Sequence, residues 1–350
     1  MYLDKKISIE INIIFMRILI TTGLGASDVG GPFQYGPRLQ KEFQALGHEV
    51  KLVSYGKVEK FLPIGLRHKY FFFKILKKVW WADYALTLDT FSVGLPTVLA
   101  CSFLNTKSIA RVGGDYVWSA YVNRTGKALT LPDFYKNIPK LNLKERIIFF
   151  FTKIFIDRVD FFAFNTKWQK DIWSSYYKIQ DYRSRVVRNF IPEKTSGNTP
   201  EIKNFLWAGR PIPEKNIAML EKVAQKVTIK YPEFRLDVLS GKSHQEVLDS
   251  IKSAYACVSL AYSDICPNFI LEGISYNKPF IMTKETGLNE IYPSGGLFVA
   301  PLSEDGVERA MEALMDKNEY NRLVEALKQA DIRHSWQDIA EEYLEIWKHI

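Results

Sequence analysis

One stretch of the chain, residues 263–290, brings two carboxylates close to the expected start of a helix. The apolar run before it, residues 254–261, has the length and content of a buried strand. Proline is tolerated in the first helical position, so we expect a helix to start near Pro267. The free amide groups at a helix start bind phosphates. Asp264 and Glu272 flank these amides, and carboxylates accept hydrogen bonds from vicinal hydroxyls, as in a ribose or a hexose.

This stretch resembles the signature of the family 4 retaining glycosyltransferases, which have the GT-B fold. That signature has two glutamates separated by seven residues, followed by a helix of small residues and a lysine-proline pair. Here Asp264 and Glu272 are followed by NKPFI at 277–281, and residues 287–290 match the loop before the next helix. Aspartate in the first position keeps the charge but is one methylene shorter. The resemblance extends weakly over the first half of the chain, from Met16 onward.

A second match with the family follows the strand predicted at 204–208. Arg210 and Lys215 occupy positions where the resemblance implies contact with the diphosphate of a donor. Two cations can neutralise the charge that grows on a leaving nucleoside diphosphate, which other enzymes achieve with a metal ion. A lysine in the first turn of a helix opposes the helix dipole, and Glu214 beside it is an alternative reason for its presence.

The resemblance implies an α/β protein of two Rossmann-like, doubly wound domains that face a cleft, with the last helix crossing back to the first domain. The alternation of strand and helix patterns starts twice along the chain, and the polar stretch between the two series is typical of a linker. We predict an N-terminal extension at 1–15, an acceptor-side domain at 16–188, a linker at 189–203, a nucleotide-sugar donor domain at 204–332 and a final helix at 333–350. The extension is either a wrongly assigned start or an added edge strand.

The acceptor side is predicted from residues after the strand expected at 108–112. Asp115 follows that strand and two glycines, at the end of the sheet where open α/β folds bind ligands. Trp118, Asn123 and Arg124 could line an acceptor pocket, since aromatic rings stack on sugars and polar groups fix hydroxyls. They could equally pack within the loop.

The resemblance also assigns residues to the donor. The catalytic residues are predicted to be Arg210, Lys215, Asp115 and Asp264, and the donor-binding residues to be Gly30, Gly31, Gly209, Arg210, Lys215, Asp264, Pro267, Asn268, Phe269 and Glu272. Gly30 and Gly31 match a loop that closes over the donor phosphates, although a tight turn would also require glycine. A hydride-transfer enzyme is disfavoured, because Asp28 stands where the dinucleotide fingerprint needs its third glycine.

Composition limits the choice of partners. The net charge of +8 over 350 residues favours an anionic partner: a nucleotide diphosphate, an anionic membrane surface or nucleic acid. Nucleic acid is disfavoured, because recognised RNA-binding folds lack this double βα plan. Two stretches, 67–81 and 140–158, combine lysines with large aromatics and are either interfacial helices or packed ones. The three cysteines have no CxxC spacing, which fits a reducing cytosol.

The function predicted from the sequence is metal-independent transfer of a hexose, with retention, from a nucleotide diphosphate sugar to a hydroxyl of a glycan or lipid-linked glycan. No cofactor is expected, and no Asp-x-Asp pair is present for a metal. The expected location is the cytoplasm, with contact at the inner face of the membrane as a variant, and no segment is apolar enough to cross it. The alternatives are a nucleotide-sugar epimerase or phosphorylase on the same plan, and a catalytically idle binding subunit, which Asp264 favours.

Overall fold

The computed structural model describes residues 15–23, 31–195, 200–330 and 333–350. Within these ranges the chain forms two parallel β-sheets, each covered by helices on both faces. The N-terminal extension predicted at 1–15 lies outside the described residues except for Phe15. No helix among the described residues is long and apolar enough to cross a membrane.

The first sheet has six strands in the described residues, all parallel, in the order β2-β1-β3-β4-β5-β6. Its central strands are buried on both faces, as expected for a parallel sheet between helices. The strands are β1 (Arg17–Thr22), β2 (Glu49–Ser54), β3 (Tyr84–Thr87), β4 (Lys107–Val112), β5 (Phe161–Phe164) and β6 (Ser184–Val186).

Helices cover both sides of this sheet. They are α1 (Gly31–Ala45), α2 (Lys57–Phe61), α3 (Ile64–Trp81), α4 (Gly94–Leu104), α5 (Tyr116–Thr125), α6 (Leu131–Lys136), α7 (Leu143–Arg158) and α8 (Lys167–Tyr177). Right-handed crossovers place α1 on one side of the sheet and α3, α4 and α7 on the other. Gly47, which follows α1, has a φ of 89°, the left-handed conformation that glycine often adopts just after a helix.

The second sheet has five parallel strands in the described residues, in the order β11-β10-β9-β7-β8. The strands are β7 (Lys203–Ala208), β8 (Phe234–Leu239), β9 (Ala256–Ser259), β10 (Phe280–Thr283) and β11 (Gly296–Val299). The helices around it are α9 (Ile217–Lys230), α10 (His244–Ser253), α11 (Asn268–Ser275), α12 (Glu304–Met315) and α13 (Lys317–Gln329). Every residue of β9 and β10 is buried, as their continuous apolar runs predict.

The last helix, α14 (Trp336–Trp347), packs on the first domain rather than on the second. Trp347 is buried against Phe43 of α1 and Tyr84 of β3, with ring centroids 5.4 Å apart in both pairs. The hydroxyls of Tyr343 and Tyr35 lie 3.3 Å apart. The α/β architecture of two doubly wound units with a returning helix, predicted from the sequence, is confirmed.

Candidate active site

The two sheets share one topological feature, a point at which the order of strands along the chain reverses. In the second sheet it lies between β7 and β9, because β8 is on the far side of β7. Open α/β sheets bind ligands outside the carboxyl ends of the strands at such a point. Gly209 and Arg210 follow β7 there, and the loop that carries Asp264 follows β9. The strongest sequence matches therefore meet at one edge of one sheet.

Lys215 and Asp264 form an ion pair at this edge, with Nζ 2.8 Å from Oδ2. Lys215 ends a short 3-10 turn, Pro213–Lys215, and Asp264 is held by the bond from its amide to the carbonyl of Glu285. The hydroxyl of Ser259 donates to the same carboxylate oxygen at 3.3 Å. Two loops that are far apart in the sequence thus fix a cation and a carboxylate side by side.

Lys215 keeps its positive charge at this edge although its side chain is partly buried. Burial by itself lowers the pKa of Lys215, but the charge of Asp264 and its hydrogen bond outweigh this, and the pKa is raised. The positive charge of Arg210 acts in the opposite direction on Lys215, so the two cations are neighbours. Arg210 is exposed. A fixed, partly buried cation, whose side chain is 23% exposed, beside an accessible one is suited to binding an anion of more than one charge.

The start of α11 faces the same edge. The chain turns at Cys266, whose φ is 58°, and Pro267 is the N-cap residue in an extended conformation. Asn268 and Phe269 are the first helical residues, and both are partly buried. The helix begins one residue later than predicted. Its first amides are available for a phosphate group, as the sequence pattern indicated.

Glu272 lies in the second turn of α11, and its carboxylate contacts His244, a residue that sequence reasoning did not assign to the site. Nε2 of His244 is 2.8 Å from Oε1 of Glu272. Burial raises the pKa of Glu272, and the hydrogen bond and charge of His244 oppose that rise only in part. A signal for His244 was present in the sequence, because Ser243 and Glu246 form a capping box. This motif places His244 at the start of α10, beside the sheet edge.

The two domains meet beside Lys215. Glu214 is buried, and its Oε2 accepts hydrogen bonds from the hydroxyl of Ser119 at 2.5 Å and from Nδ2 of Asn123 at 3.0 Å. The side-chain oxygen of Asn123 in turn accepts from the amide of Glu214 at 3.1 Å. We call this group of Ser119, Asn123 and Glu214 the interdomain clasp. It ties α5 of the first domain to the residue immediately before Lys215.

Two further contacts join the domains next to the clasp. The amide of Leu131, at the start of α6, donates to the hydroxyl of Ser263 at 2.8 Å. Gly287 lies so close to Thr166 that a Cβ atom at Gly287 would overlap the threonine side chain. Sequence reasoning missed both pairs, since neither residue type nor spacing indicates a partner across a cleft.

Comparison with known proteins gives structural matches only. No protein-family model matches the chain, and a search of curated proteins finds no match. Sucrose-phosphate synthase from Thermosynechococcus elongatus superposes with a TM-score of 0.70 at 14% sequence identity, over 95% of this chain and 98% of that one. HepE from Anabaena, solved with UDP and glucose, superposes with a TM-score of 0.65 at 11% identity, over 96% and 100% of the two chains. The lipopolysaccharide outer core galactosyltransferase WaaB gives 0.61 at 13%, over 95% and 99%.

The chain has the GT-B fold. The fold class predicted from the sequence is therefore confirmed. The chain has two α/β units, and the solved structures named above have the same arrangement. At these identities the likeness concerns the fold, and a fold does not by itself imply a function.

The predicted acceptor residues of this GT-B chain have contacts within the first domain. Asp115 is buried and caps α5 through the amide of Trp118, while its other oxygen accepts from the hydroxyl of Tyr135 at 2.5 Å and from the indole of Trp173 at 3.0 Å. Burial raises the pKa of Asp115 in spite of these three donors. Its place as a buried helix cap is a structural reason for this carboxylate. Its role toward an acceptor stays a prediction.

The other predicted acceptor residues are similarly engaged. Trp118 is buried and donates from its indole to the carbonyl of Leu129 at 2.9 Å. Arg124 forms a bidentate ion pair with Glu145 of α7, at 2.6 and 2.9 Å. Only Asn123 reaches the cleft, and it does so as part of the interdomain clasp. The contacts of Trp118 and Arg124 lie within the first domain, and the roles of these residues toward an acceptor stay predictions.

The reversal point of the first GT-B sheet lies between β1 and β3 and faces the other side of the cleft. Asp89, which sequence reasoning did not identify, follows β3 and accepts from the amides of Phe91, Val93 and Gly94 at 3.0 to 3.1 Å. Gly31 is the first residue of α1, and Gly30 lies outside the described residues. The predicted contact of these two glycines with donor phosphates stays a prediction.

Proposed function

We propose that this protein transfers a hexose from a nucleotide diphosphate sugar to an acceptor hydroxyl, with retention of configuration at the anomeric carbon. The observation that carries the proposal is the pairing of Lys215 with Asp264 beside the exposed Arg210. These groups lie at the reversal point of the second sheet, next to the start of α11. Cations and free amides gathered at that point suit a diphosphate. The likeness to HepE, whose structure was solved with UDP-glucose, is consistent with such a donor.

In this proposal each donor residue has a distinct task. Arg210 and Lys215 neutralise the charge that develops on the departing diphosphate as the bond from the anomeric carbon to phosphate oxygen breaks. Asp264 holds Lys215 in place and lies toward the sugar. Glu272 accepts hydrogen bonds from the ribose hydroxyls, and the amides of Asn268 and Phe269, which follow Pro267, face the phosphates.

The chemistry requires no nucleophile from the protein. The acceptor oxygen bonds to the anomeric carbon on the face that the diphosphate leaves, and the acceptor proton moves to an oxygen of the departing phosphate. Neither a metal ion nor a cofactor is needed, because the two cations perform the electrostatic task. Gly209, Gly30 and Gly31 allow the backbone to approach the phosphates closely.

The acceptor side of the proposal is less specific. We assign the acceptor to the carbohydrates, free or lipid-linked, with Asp115, Trp118, Asn123 and Arg124 shaping the wall of the pocket. The enzyme is proposed to act in the cytoplasm and at the inner face of the membrane. The donor domain is taken as 204–332 and the acceptor domain as 16–188.

A catalytically idle binding subunit is the second candidate, and one observation favours it. Both the shorter side chain of Asp264 and its engagement with Lys215 limit its reach toward a sugar. An idle subunit would bind no nucleotide, whereas an epimerase or phosphorylase would turn over a nucleotide sugar with only water or phosphate present.

A thermal shift series separates a nucleotide-binding enzyme from the idle subunit. UDP, GDP, ADP and their common sugar conjugates are added to the wild type and to Lys215→Ala. A ligand that binds only the folded state raises its stability by about 2.7 kcal/mol at a hundredfold excess over its Kd. We expect a shift with one base that is lost in the variant. A wild type that shifts with none of these nucleotides would refute the proposed donor site.

A further inference from the structure

The first domain carries a surface that its fold leaves uncovered. Of the nineteen exposed large hydrophobic side chains among the described residues, twelve lie on α2, α3, α4 and α7. Their exposure is high, with Phe73 at 69%, Trp80 at 78%, Phe103 at 75% and Phe150 at 60%. Clusters of exposed apolar side chains mark interaction sites, whereas isolated ones need no explanation.

These helices share one side of the first sheet. Buried residues of α3 pack with those of α4 around β1 and β3, and buried residues of α7 pack with the other flank of α4. Helix α4 is therefore enclosed between α3 and α7, and Phe103 near its end is exposed between them. The outward sides of α3 and α7 form a single layer, which we call the α3–α7 face.

Each of the two outer helices has a second apolar stripe opposite its buried one. On α7, Leu143, Ile147 and Phe150 recur at helical spacing and are exposed, whereas Ile148 and Phe155 are buried. On α3 the exposed stripe comprises Leu66, Tyr70, Phe73 and Trp80. A helix that packs on one side alone has a polar outer side. A second apolar stripe therefore indicates that the outer side also contacts an apolar partner.

The charge on this face is predominantly positive. Helix α3 carries five lysine or arginine residues and no acid, and α4 carries neither kind. Helix α7 carries four cations and two acids, of which Glu145 is buried and paired with Arg124. Asp157 is the single exposed acid on the three helices. Lys69, Lys77 and Arg146 are exposed next to the aromatic stripes.

We propose that the α3–α7 face binds the surface of an anionic lipid bilayer. Aromatic and aliphatic side chains between long cationic ones match an interface in which the rings enter the headgroup boundary and the lysines reach the lipid charges. Each basic residue near such a surface contributes favourably, and acids would be repelled. A soluble protein partner would need acidic groups placed to match this predominantly positive face, whereas an anionic bilayer presents negative charge over its whole surface.

The position of the face relates it to the cleft. Helix α3 runs back from the carboxyl end of β2 to the start of β3, so its first turn lies at the edge of the sheet that borders the cleft. Phe61 and Ile64 are exposed at this end, and Leu143 begins α7 in the corresponding place. A bilayer against this face would lie next to the entrance of the cleft. The binding itself does not depend on the proposed glycosyl transfer.

Vesicle cosedimentation of the full chain tests the proposal. The probes are vesicles of phosphatidylglycerol and phosphatidylcholine in equal parts and vesicles of phosphatidylcholine alone. We expect binding to the first and not to the second, with release at high salt because surface charges are screened. Failure of the wild type to sediment with the anionic vesicles at low salt would overturn the proposal.

Three sets of substitutions locate the surface. Phe73→Ser, Trp80→Ser and Phe150→Ser together should abolish sedimentation. Lys69→Gln, Lys77→Gln and Arg146→Gln together should weaken it about a hundredfold, since each cation near an anionic bilayer contributes about fivefold. The matched control, Tyr182→Ser with Ile229→Ser, changes side chains that are 79% and 85% exposed elsewhere and should bind as the wild type does.

Two further outcomes contradict the proposal. Equal loss in the control and in the first set would mean that binding does not use the α3–α7 face. A wild type that sediments as a dimer in solution and becomes monomeric with the first set, without vesicle binding, would assign the face to a second copy of the chain. Thermal melting of every variant verifies that the fold is retained.

Discussion

Asn123 and Glu214 belong to different domains and exchange two hydrogen bonds across the cleft. Nδ2 of Asn123 donates to the carboxylate of Glu214 at 3.0 Å, and the amide of Glu214 donates back to Oδ1 of Asn123 at 3.1 Å. The residue after Glu214 is Lys215, which pairs with Asp264. The relative position of the domains and the position of the proposed catalytic lysine are therefore set by the same pair.

Replacing Asn123 by alanine should uncouple the domains. Removing a hydrogen-bond donor from a buried carboxylate costs about 1–3 kcal/mol. We expect this cost to reduce the fraction of molecules in which the two domains are in contact. Turnover at saturating donor should fall about tenfold, the effect of roughly 1.4 kcal/mol. Steady-state kinetics measures the loss, and small-angle scattering should show a larger radius. Asn318→Ala, at an exposed position of α13, is the control. An Asn123→Ala variant with the same turnover and the same radius as this control would refute the role of the clasp.

Gly287→Ala isolates the contact between the domains from the stability of each. Gly287 has a φ of −94°, which alanine adopts freely, but its Cβ would overlap Thr166 of the other domain. We expect each domain to remain folded while the cleft stays open and turnover falls. Melting curves report whether each domain remains folded, and small-angle scattering of the same sample reports whether the cleft stays open. Gly65→Ala, where an added Cβ meets nothing within 4 Å, should behave as the wild type. A compact, active Gly287→Ala would contradict the observed contact.

Lys215→Ala and Arg210→Ala should each reduce kcat strongly. Removing one group that stabilises developing charge typically costs a factor of about 10² to 10³ in kcat. Lys222, which pairs with Glu304 on the surface of the same domain, supplies the control variant Lys222→Ala. The assay is release of nucleoside diphosphate from the donor that the thermal shift series identifies. Near-normal rates in both site variants, with the control unchanged, would exclude the proposed leaving-group role.

Glu272→Gln should separate stability from donor binding. Burial raises the pKa of Glu272 in the folded protein. At a pH just above the ordinary pKa of glutamate, this group is therefore protonated less in the unfolded chain than in the folded protein. Its contribution to the free energy of unfolding is therefore favourable at low pH and is lost as the pH rises through the raised pKa. At neutral pH the glutamine variant should melt higher than the wild type, and the difference should vanish in acid.

The same variant should lose the thermal shift given by the nucleotide, because glutamine replaces a two-oxygen acceptor for ribose hydroxyls. Melting with and without nucleotide over a pH series measures both effects. A variant that melts lower than the wild type at neutral pH and keeps its nucleotide shift would argue against the role of Glu272.

Trp347→Ala tests the attachment of the last helix. Trp347 is buried among Phe43, Tyr84 and Tyr343, and truncating a buried tryptophan costs about 3–5 kcal/mol. Trp80→Ala removes the same side chain from an exposed position and should change stability by less than about 0.5 kcal/mol. Chemical unfolding of the two variants gives the comparison. Equal effects would show that α14 contributes little to the first domain.

The sequence by itself determined the elements and the edge at which the candidate donor residues gather. Continuous apolar runs such as 161–164 and 256–259 predict strands buried on both faces, and glycine at 47 predicts the end of α1. Arg210 and Asp264 both follow strands of one parallel sheet, and carboxyl ends of parallel strands meet at one edge. Local patterns carry this information because periodicity and turn chemistry depend on neighbouring residues alone.

Only the tertiary structure decided which side chains face one another. Asn123 and Glu214 are 91 positions apart in the sequence, and His244 and Glu272 are 28 positions apart. Asp115 follows its strand as predicted, yet it is turned inward to cap α5 and to receive the donors of Tyr135 and Trp173. A sequence pattern shows which side of an element is buried, but the partner across a cleft depends on how two separately folded sheets are placed. That placement arises from contacts such as Gly287 with Thr166, for which no local pattern exists.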